Sequence, residues 1–349
     1  MPATPLDEQD LRTRLARDAE AWHAGATLEH LAVLPGGNSS IVYEARWRGV
    51  PSEYERTVVK IAPPGLDPVR NRDMLRQGRV IAALGSVPGV RVPELLFTDD
   101  GTPPVIPPFI VTSFLPGECY EPILEAAKEP RPRDEVRARA FAAARMLAAL
   151  HAAPAESLPG LDRPDGEPDP EVTLTDEIDR WTRALDTVDD SMRVGYQECA
   201  AALHESMPAP RPAGIVHGDY RLGNMLCSDG DVHSIIDWEI WARSDPRNDL
   251  AWFLFFTDEA EHAAVQEPVE SGMPTARELL DEYEKAAGTP VADLDWFHAL
   301  VRYKEAGATA LIMKRLAKHG QLPEGSDPSR ATVSHITDAM KILQSRARS

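Results

Sequence analysis

Cysteine is scarce in this chain: Cys119, Cys199 and Cys227 are the only three in 349 residues. They are far apart, odd in number and form no C-x-x-C pair, so neither a disulfide framework nor a zinc site is suggested, and a reducing, cytoplasmic setting is expected. Positive charge is in deficit too, with 37 Lys and Arg against 56 Asp and Glu and a formal net charge of −19. A general nucleic-acid binder needs a basic face, so no nucleic-acid partner is expected. No apolar run approaches the ~20 residues that span a bilayer, and the opening MPATPLDEQD lacks the basic and apolar regions of a signal peptide, so no membrane partner is expected either.

What is present is ordinary for a globular protein: 43% apolar and 27% charged residues. The length suits a two-lobed unit or two domains. Residues 7–24 have the spacing of an amphipathic helix. Residues 28–62 read as strands, ending in the β-branched run TVVKIAP, and 68–84 return to helical spacing. A strand, a DDG turn and a second strand follow, up to Pro116-Gly117. From about 134 the pattern is helical, interrupted only by a Pro-rich loop and by IVHGDYRLGNMLCSDGDVHSIIDWE, which reads as a strand, a polar loop and a hairpin closed by Asp229-Gly230. The fold class expected is α+β, a strand-rich part followed by a mainly helical part with one small β-hairpin.

The chemistry concentrates in that interruption. Asn224 follows Asp219 by five residues, and Asp237 follows Asn224 by thirteen, across two apolar strands. Singly these are turn-forming Asx residues and a strand-end aspartate. Together they match the needs of phosphoryl transfer: a carboxylate to accept the proton of an attacking hydroxyl, and oxygen ligands to hold Mg²⁺ against a triphosphate.

HGDYRLGN followed by IIDWE resembles the catalytic loop and metal-binding segment of the aminoglycoside phosphotransferase and choline kinase-like family, distant relatives of protein kinases. The style of FIVTSFLPGE and IIDWEIW resembles its broad branch associated with acyl-CoA metabolism. The resemblance runs from about Leu34 to the C-terminal helices. It implies a bilobal protein-kinase-like fold, with a nucleotide-binding lobe over 1–112, a hinge at 113–117 and a helical lobe over 118–349 carrying the catalytic loop and acceptor pocket. It implies ATP or GTP and Mg²⁺ as cofactors, a small-molecule hydroxyl acceptor, and a monomer or homodimer. Asp219 takes the role of catalytic base, Asn224 and Asp237 those of metal ligands, and His217 packs the loop. Asp249, in DPRNDLAWFL, braces that loop from a helix start.

Lys60, in TVVKIAP, matches the family's phosphate-binding lysine. A lysine in an apolar strand needs a partner unless it lies at an edge and reaches solvent. The family supplies a glutamate from the next helix; here the matching residue, seventeen positions on, is Gln77, and no Glu lies between Glu55 and Glu94. Gln can hydrogen-bond an ammonium but cannot neutralise it. Asp73, one turn earlier, is the alternative partner. PGGNSS loosely matches the nucleotide loop: Gly36 and Gly37 permit close backbone approach, and Asn38, Ser39 and Ser40 offer N–H groups to phosphate, though a plain hairpin turn reads equally well. FIVTSFLPGE resembles the family's hinge, which implies that Thr112, just before it, stands near the nucleotide base and that backbone groups of Ser113 and Leu115 bond the base's edge.

Two functions compete. One is an active phosphotransferase; the other, prompted by Gln77, is a pseudokinase-like nucleotide-binding or regulatory protein without turnover. A hydrolase is disfavoured because no GxSxG or HExxH motif occurs. The acceptor is open between an amino-sugar or macrolide antibiotic and a hydroxyacyl-CoA or choline-like alcohol. Residues 154–200 hold thirteen Asp or Glu against four Arg, which suits a cationic acceptor or simply a solvated acidic surface. Trp181, Tyr196, Trp238, Trp241, Trp252, Tyr283, Trp296 and Tyr303 could line a pocket or fill a core.

Overall fold

The computed structural model describes residues 6–34, 40–126, 128–257, 270–322 and 327–348. In chain order the first elements are α1 (Glu8–Trp22), β1 (Thr27–Val33), β2 (Ile41–Arg48), β3 (Arg56–Ile61), α2 (Met74–Leu84), β4 (Leu95–Asp99) and β5 (Phe109–Ser113). Next come α3 (Pro122–Glu125), α4 (Arg133–Ala152), β6 (Glu171–Val172), α5 (Leu174–Leu185), α6 (Tyr196–Glu205), β7 (Gly214–Val216), β8 (Met225–Ser228) and β9 (Asp231–Ile235). The last are β10 (Ala242–Ser244), α7 (Arg247–Phe255), α8 (Ala276–Ala287), α9 (Leu294–Lys318) and α10 (Pro328–Arg346).

The chain forms two compact units, neither continuous in sequence. The first comprises Met1–Cys119, Glu156–Asp169 and Asn224–Trp241; the second holds Tyr120–Ala155, Pro170–Gly223 and Ala242–Ser349. The first break lies just beyond the expected hinge. The hairpin, which the sequence reading kept with the helical part, groups with the strand-rich unit.

In the first unit five antiparallel strands lie in the order β1-β2-β3-β5-β4. Alternation along β3 sends Thr57, Val59 and Ile61 inward. Leu11, Leu15 and Ala19 of α1 share a buried cluster with Tyr43, Trp47, Val59, Ile61, Phe109 and Val111. The Trp47 indole meets the Thr57 hydroxyl at 2.8 Å, so its N–H enters the core satisfied. The two-stranded β8–β9 sheet turns through Asp229 and Gly230, both at positive φ (48° and 81°), the conformation that a two-residue Asp-Gly hairpin turn requires.

The second unit is helical around a small β6-β10-β7 sheet. Helices α5 and α8 start at capping boxes, Thr173 with Asp176 and Thr275 with Glu278, which satisfy backbone donors at each start. Trp181, Tyr196, Trp252, Trp296 and Tyr303 fill one apolar core. Tyr283 is buried here as well, and Trp238 and Trp241 are buried in the first unit.

Candidate functional site

In the first unit the β-sheet register sets Lys60 opposite Val42 of β2 and Ile110 of β5. Its Nζ donates to Asp237 Oδ1 at 2.8 Å and to Gln77 Oε1 at 3.1 Å. Gln77 is buried, and its amide Nε2 donates to the Asn71 carbonyl at 3.1 Å. That second bond orients the amide with its oxygen toward the lysine. Asp73 is not the lysine's partner. It is the N-cap of α2, and its carboxylate accepts from the Arg76 N–H, satisfying an orphan donor of the first turn.

Asp237 follows β9 in the left-handed region, at φ 64°, a strained conformation for a residue with a side chain. Its side chain is 42% exposed. Across the hairpin the Asn224 carbonyl accepts from the Ile236 N–H at 2.9 Å, so the residue before β8 is fixed beside the residue preceding Asp237. Helix α2 is tied to the same turn. Arg76 stacks on the Trp241 ring at 4.0 Å and donates to the Trp241 carbonyl at 2.9 Å, while the Trp241 indole donates to the Arg76 carbonyl at 3.2 Å. The buried Asp169 carboxylate holds Arg76 Nε at 3.0 Å.

The remaining nucleotide-side expectations divide. Gly37, Asn38 and Ser39 lie outside the described residues. Ser40 is buried and its hydroxyl has no partner among the described residues. Thr112 is buried in β5. Ser113 corrects its expectation in part: its N–H donates to the Glu94 carbonyl at 2.9 Å, and its hydroxyl accepts from the Glu94 N–H. That N–H is therefore committed to the strand edge. Leu115 makes no backbone hydrogen bond among the described residues.

In the second unit Asp249, at the start of α7, accepts from the N–H groups of His217 and Gly218, the latter at 2.8 Å. His217 is fully buried, and its Nδ1 accepts from the Asp219 N–H at 3.2 Å. These bonds shape the loop that presents Asp219. Asp219 Oδ1 accepts from the Trp252 indole at 2.8 Å and from Arg221 Nε at 3.2 Å. Burial pushes the Asp219 carboxyl up, but Arg221, Lys304 and His217 outweigh it and hold the group below its ordinary value, ionised. Arg221 also reaches the buried Glu121 at 3.4 Å, and Glu121 accepts from the Gly223 N–H at 3.0 Å. Arg221 lies inside HGDYRLGN, so its position was legible. Glu121 and Lys304 carried no signal in the sequence, and Trp252 only that of a core aromatic.

Among the described residues no three His, Cys, Asp or Glu side chains cluster into an all-protein metal cage. Asn224 and Asp237 offer hard oxygen donors on one hairpin, a set that suits Mg²⁺ completed by phosphate and water. The Asp237 carboxylate is paired with the Lys60 ammonium at 2.8 Å.

A family model described as the phosphotransferase enzyme family matches residues 30–300. The chain belongs to that family. Among curated proteins this phosphotransferase is 22% identical over 276 residues to mouse acyl-CoA dehydrogenase family member 10, covering 77% of this chain and 25% of that protein. It is 23% identical over 273 residues to human acyl-CoA dehydrogenase family member 11, covering 75% and 34%. The chain thus spans a quarter to a third of the length of these relatives. Among solved structures it resembles aminoglycoside phosphotransferase APH(4)-Ia in ternary complex with ADP and hygromycin B (TM-score 0.61, 14% identity, 97% and 98% of the two chains). It also resembles the GDP and kanamycin complex of APH(2")-IIIa (TM-score 0.57, 16% identity, 96% and 98%). At such identities the likeness is one of fold: the phosphotransferase has the α+β, protein-kinase-like fold that its sequence motifs imply. No helix among its described residues is long and apolar enough to cross a membrane.

Proposed function

We propose that this phosphotransferase moves the γ-phosphate of ATP or GTP to a hydroxyl of a small molecule. The observation that supports it most is the meeting of Lys60 and Asp237, 177 residues apart in sequence, at 2.8 Å. A lysine from the sheet and a partly exposed aspartate from the hairpin form a charged pair that a nucleotide and its metal can divide between them. Lys60 then holds phosphate oxygens, and Asn224 and Asp237 hold Mg²⁺, which neutralises charge on the phosphates when bound. The backbone of Leu115 is a further group available to the nucleotide.

Asp219 receives the acceptor's hydroxyl proton. An ionised carboxylate held by Trp252 and Arg221 is a weak base, which fits a loose transition state where orienting the hydroxyl matters more than early proton removal. The names of the solved relatives' ligands point to amino-sugars, whereas the curated relatives are acyl-CoA dehydrogenase family proteins. We favour a hydroxyacyl acceptor on that kinship. ADP or GDP release measured across amino-sugars, macrolides, choline-like alcohols and hydroxyacyl-CoA compounds tests this choice. Asp219→Ala should abolish turnover with nucleotide binding retained, and Asp237→Ala should remove the Mg²⁺-dependent part of nucleotide affinity. Turnover near wild type in the first variant would remove Asp219 from the reaction.

A further inference from the structure

We propose that Lys304 of α9 is a positioning residue for Asp219, fixing the loop carbonyl before it and, through Trp252, the direction of its carboxylate; this rests on the role of Asp219 given above. Lys304 stands 86 residues beyond Gly218 in sequence, yet its Nζ donates to the Gly218 carbonyl at 2.5 Å. The same ammonium lies 3.8 Å from the centroid of the Trp252 ring. The indole N–H of Trp252 in turn donates to Asp219 Oδ1 at 2.8 Å. One cation therefore reaches Asp219 by two routes, along the backbone and across an aromatic ring.

The backbone route is rigid. Gly218 sits at φ 86°, where a side chain is strained. Its N–H is held by Asp249 and its carbonyl by Lys304, so both polar groups of the residue before Asp219 are fixed from helices α7 and α9. The aromatic route is electrostatic. A cation over the indole face withdraws charge from the ring and makes the N–H a better donor to the carboxylate.

A lysine that merely covered apolar surface would keep its ammonium in water. Here burial pulls the Lys304 pKa down, against Glu177, Asp219 and Asp249, which raise it, with Arg180 of α5 adding to the lowering. A cation kept in such a place at a desolvation cost needs a return, and the nearby Asp219 charge supplies it. Arg221 alone does not fill this role, because its guanidinium is shared with Glu121. The charged groups bearing on Asp219 are Arg221 from its own loop and Lys304 from α9, with the His217 imidazole beside them. Glu121 lies beside Arg221 at 3.4 Å, and burial, with Asp219 adding to it, pushes the Glu305 carboxyl up to about 7.

The test compares Lys304→Met and Lys304→Arg with the native chain, after thermal unfolding has established that each variant folds. The indole N–H resonance of Trp252, assigned by its loss in Trp252→Phe, reports the protonation of Asp219 without requiring turnover. In Lys304→Met its acid midpoint should rise by about one pH unit, a tenfold change in proton affinity, and Lys304→Arg should return most of it. With an accepted acceptor, kcat of Lys304→Met should fall at least about tenfold with the nucleotide KM changed less than about twofold, the pattern of a lost transition-state contribution. An unmoved indole midpoint in a folded Lys304→Met overturns the proposal whether or not the enzyme turns over. A raised acceptor KM at unchanged kcat also overturns it and makes Lys304 an acceptor-binding residue. A moved midpoint in a chain that transfers no phosphate would leave Lys304 in place and overturn the phosphotransferase reading of Asp219 instead.

Discussion

Gln77 meets Lys60 through a neutral acceptor, Oε1 to Nζ at 3.1 Å. The amide orients the ammonium, and the neutralising charge comes from Asp237 at 2.8 Å. A hydrogen bond to a charged group contributes roughly 1.5–3 kcal/mol, of which only the share that orients Lys60 bears on the nucleotide, whereas Lys60 itself supplies the charge that meets the phosphates. Lys60→Ala should therefore weaken nucleotide binding at least about tenfold, while Gln77→Ala should weaken it about fivefold or less. Calorimetric titration with ADP or GDP in Mg²⁺ checks the order, and the reverse order would mean that Gln77 contacts the nucleotide itself.

The position of Gln77 depends on its neighbour in sequence. Arg76 and Trp241 exchange two hydrogen bonds and stack, with Asp169 closing the far side of the guanidinium. Because Gln77 brings no charge to draw Lys60 toward α2, this interlock keeps the helix at the turn that follows Asp237. Arg76→Ala should lower the thermal midpoint by several degrees, since it leaves Asp169 buried without its main partner. It should also weaken nucleotide binding about three- to tenfold. Arg76→Lys should rescue little, because an ammonium cannot stack flat on the indole while bonding both Trp241 and Asp169. Full rescue by lysine would show that only the charge matters.

Much of this arrangement was legible in the sequence because its parts are contiguous. Asp219 and Asn224 share one loop and Asp237 ends the hairpin that follows, so their spacing is set by two short strands and a two-residue turn. Gln77 was reached by matching the family's helix position seventeen residues after Lys60, and its amide oxygen does meet the Lys60 ammonium. Asp73 was open as a partner because spacing puts it one turn away on the same face, but a residue at the N-cap turns its side chain back to the helix N–H groups. Ser113 was misjudged in part because cross-strand pairing with Glu94 is not visible from one strand alone. The residues that surround Asp219 were the least legible. Trp252, Lys304 and Glu121 come from three separate helical segments, and their own sequence neighbours show only helical periodicity or a turn. Their meaning arises from tertiary packing, which no local pattern encodes.

Glu121 makes a prediction in pH. It is 3% exposed; one oxygen accepts from Gly223 and Arg221, and Oε1 has no partner among the described residues. Burial pushes its carboxyl from an ordinary 4.5 up to about 7, against the pull of Arg221. The folded chain therefore binds this proton more tightly than the unfolded chain does. Its contribution to stability is complete below about pH 4.5 and is lost as pH rises toward about 7, because over that interval the folded state holds more protons. Glu121→Gln resembles the protonated side chain at every pH. The stability of the native chain relative to Glu121→Gln should fall steadily between pH 4.5 and 7 and level off above it. Urea unfolding of both proteins across that range measures the difference directly. A difference that stays constant with pH would mean that Glu121 is ionised throughout, with Arg221 rather than burial deciding its charge.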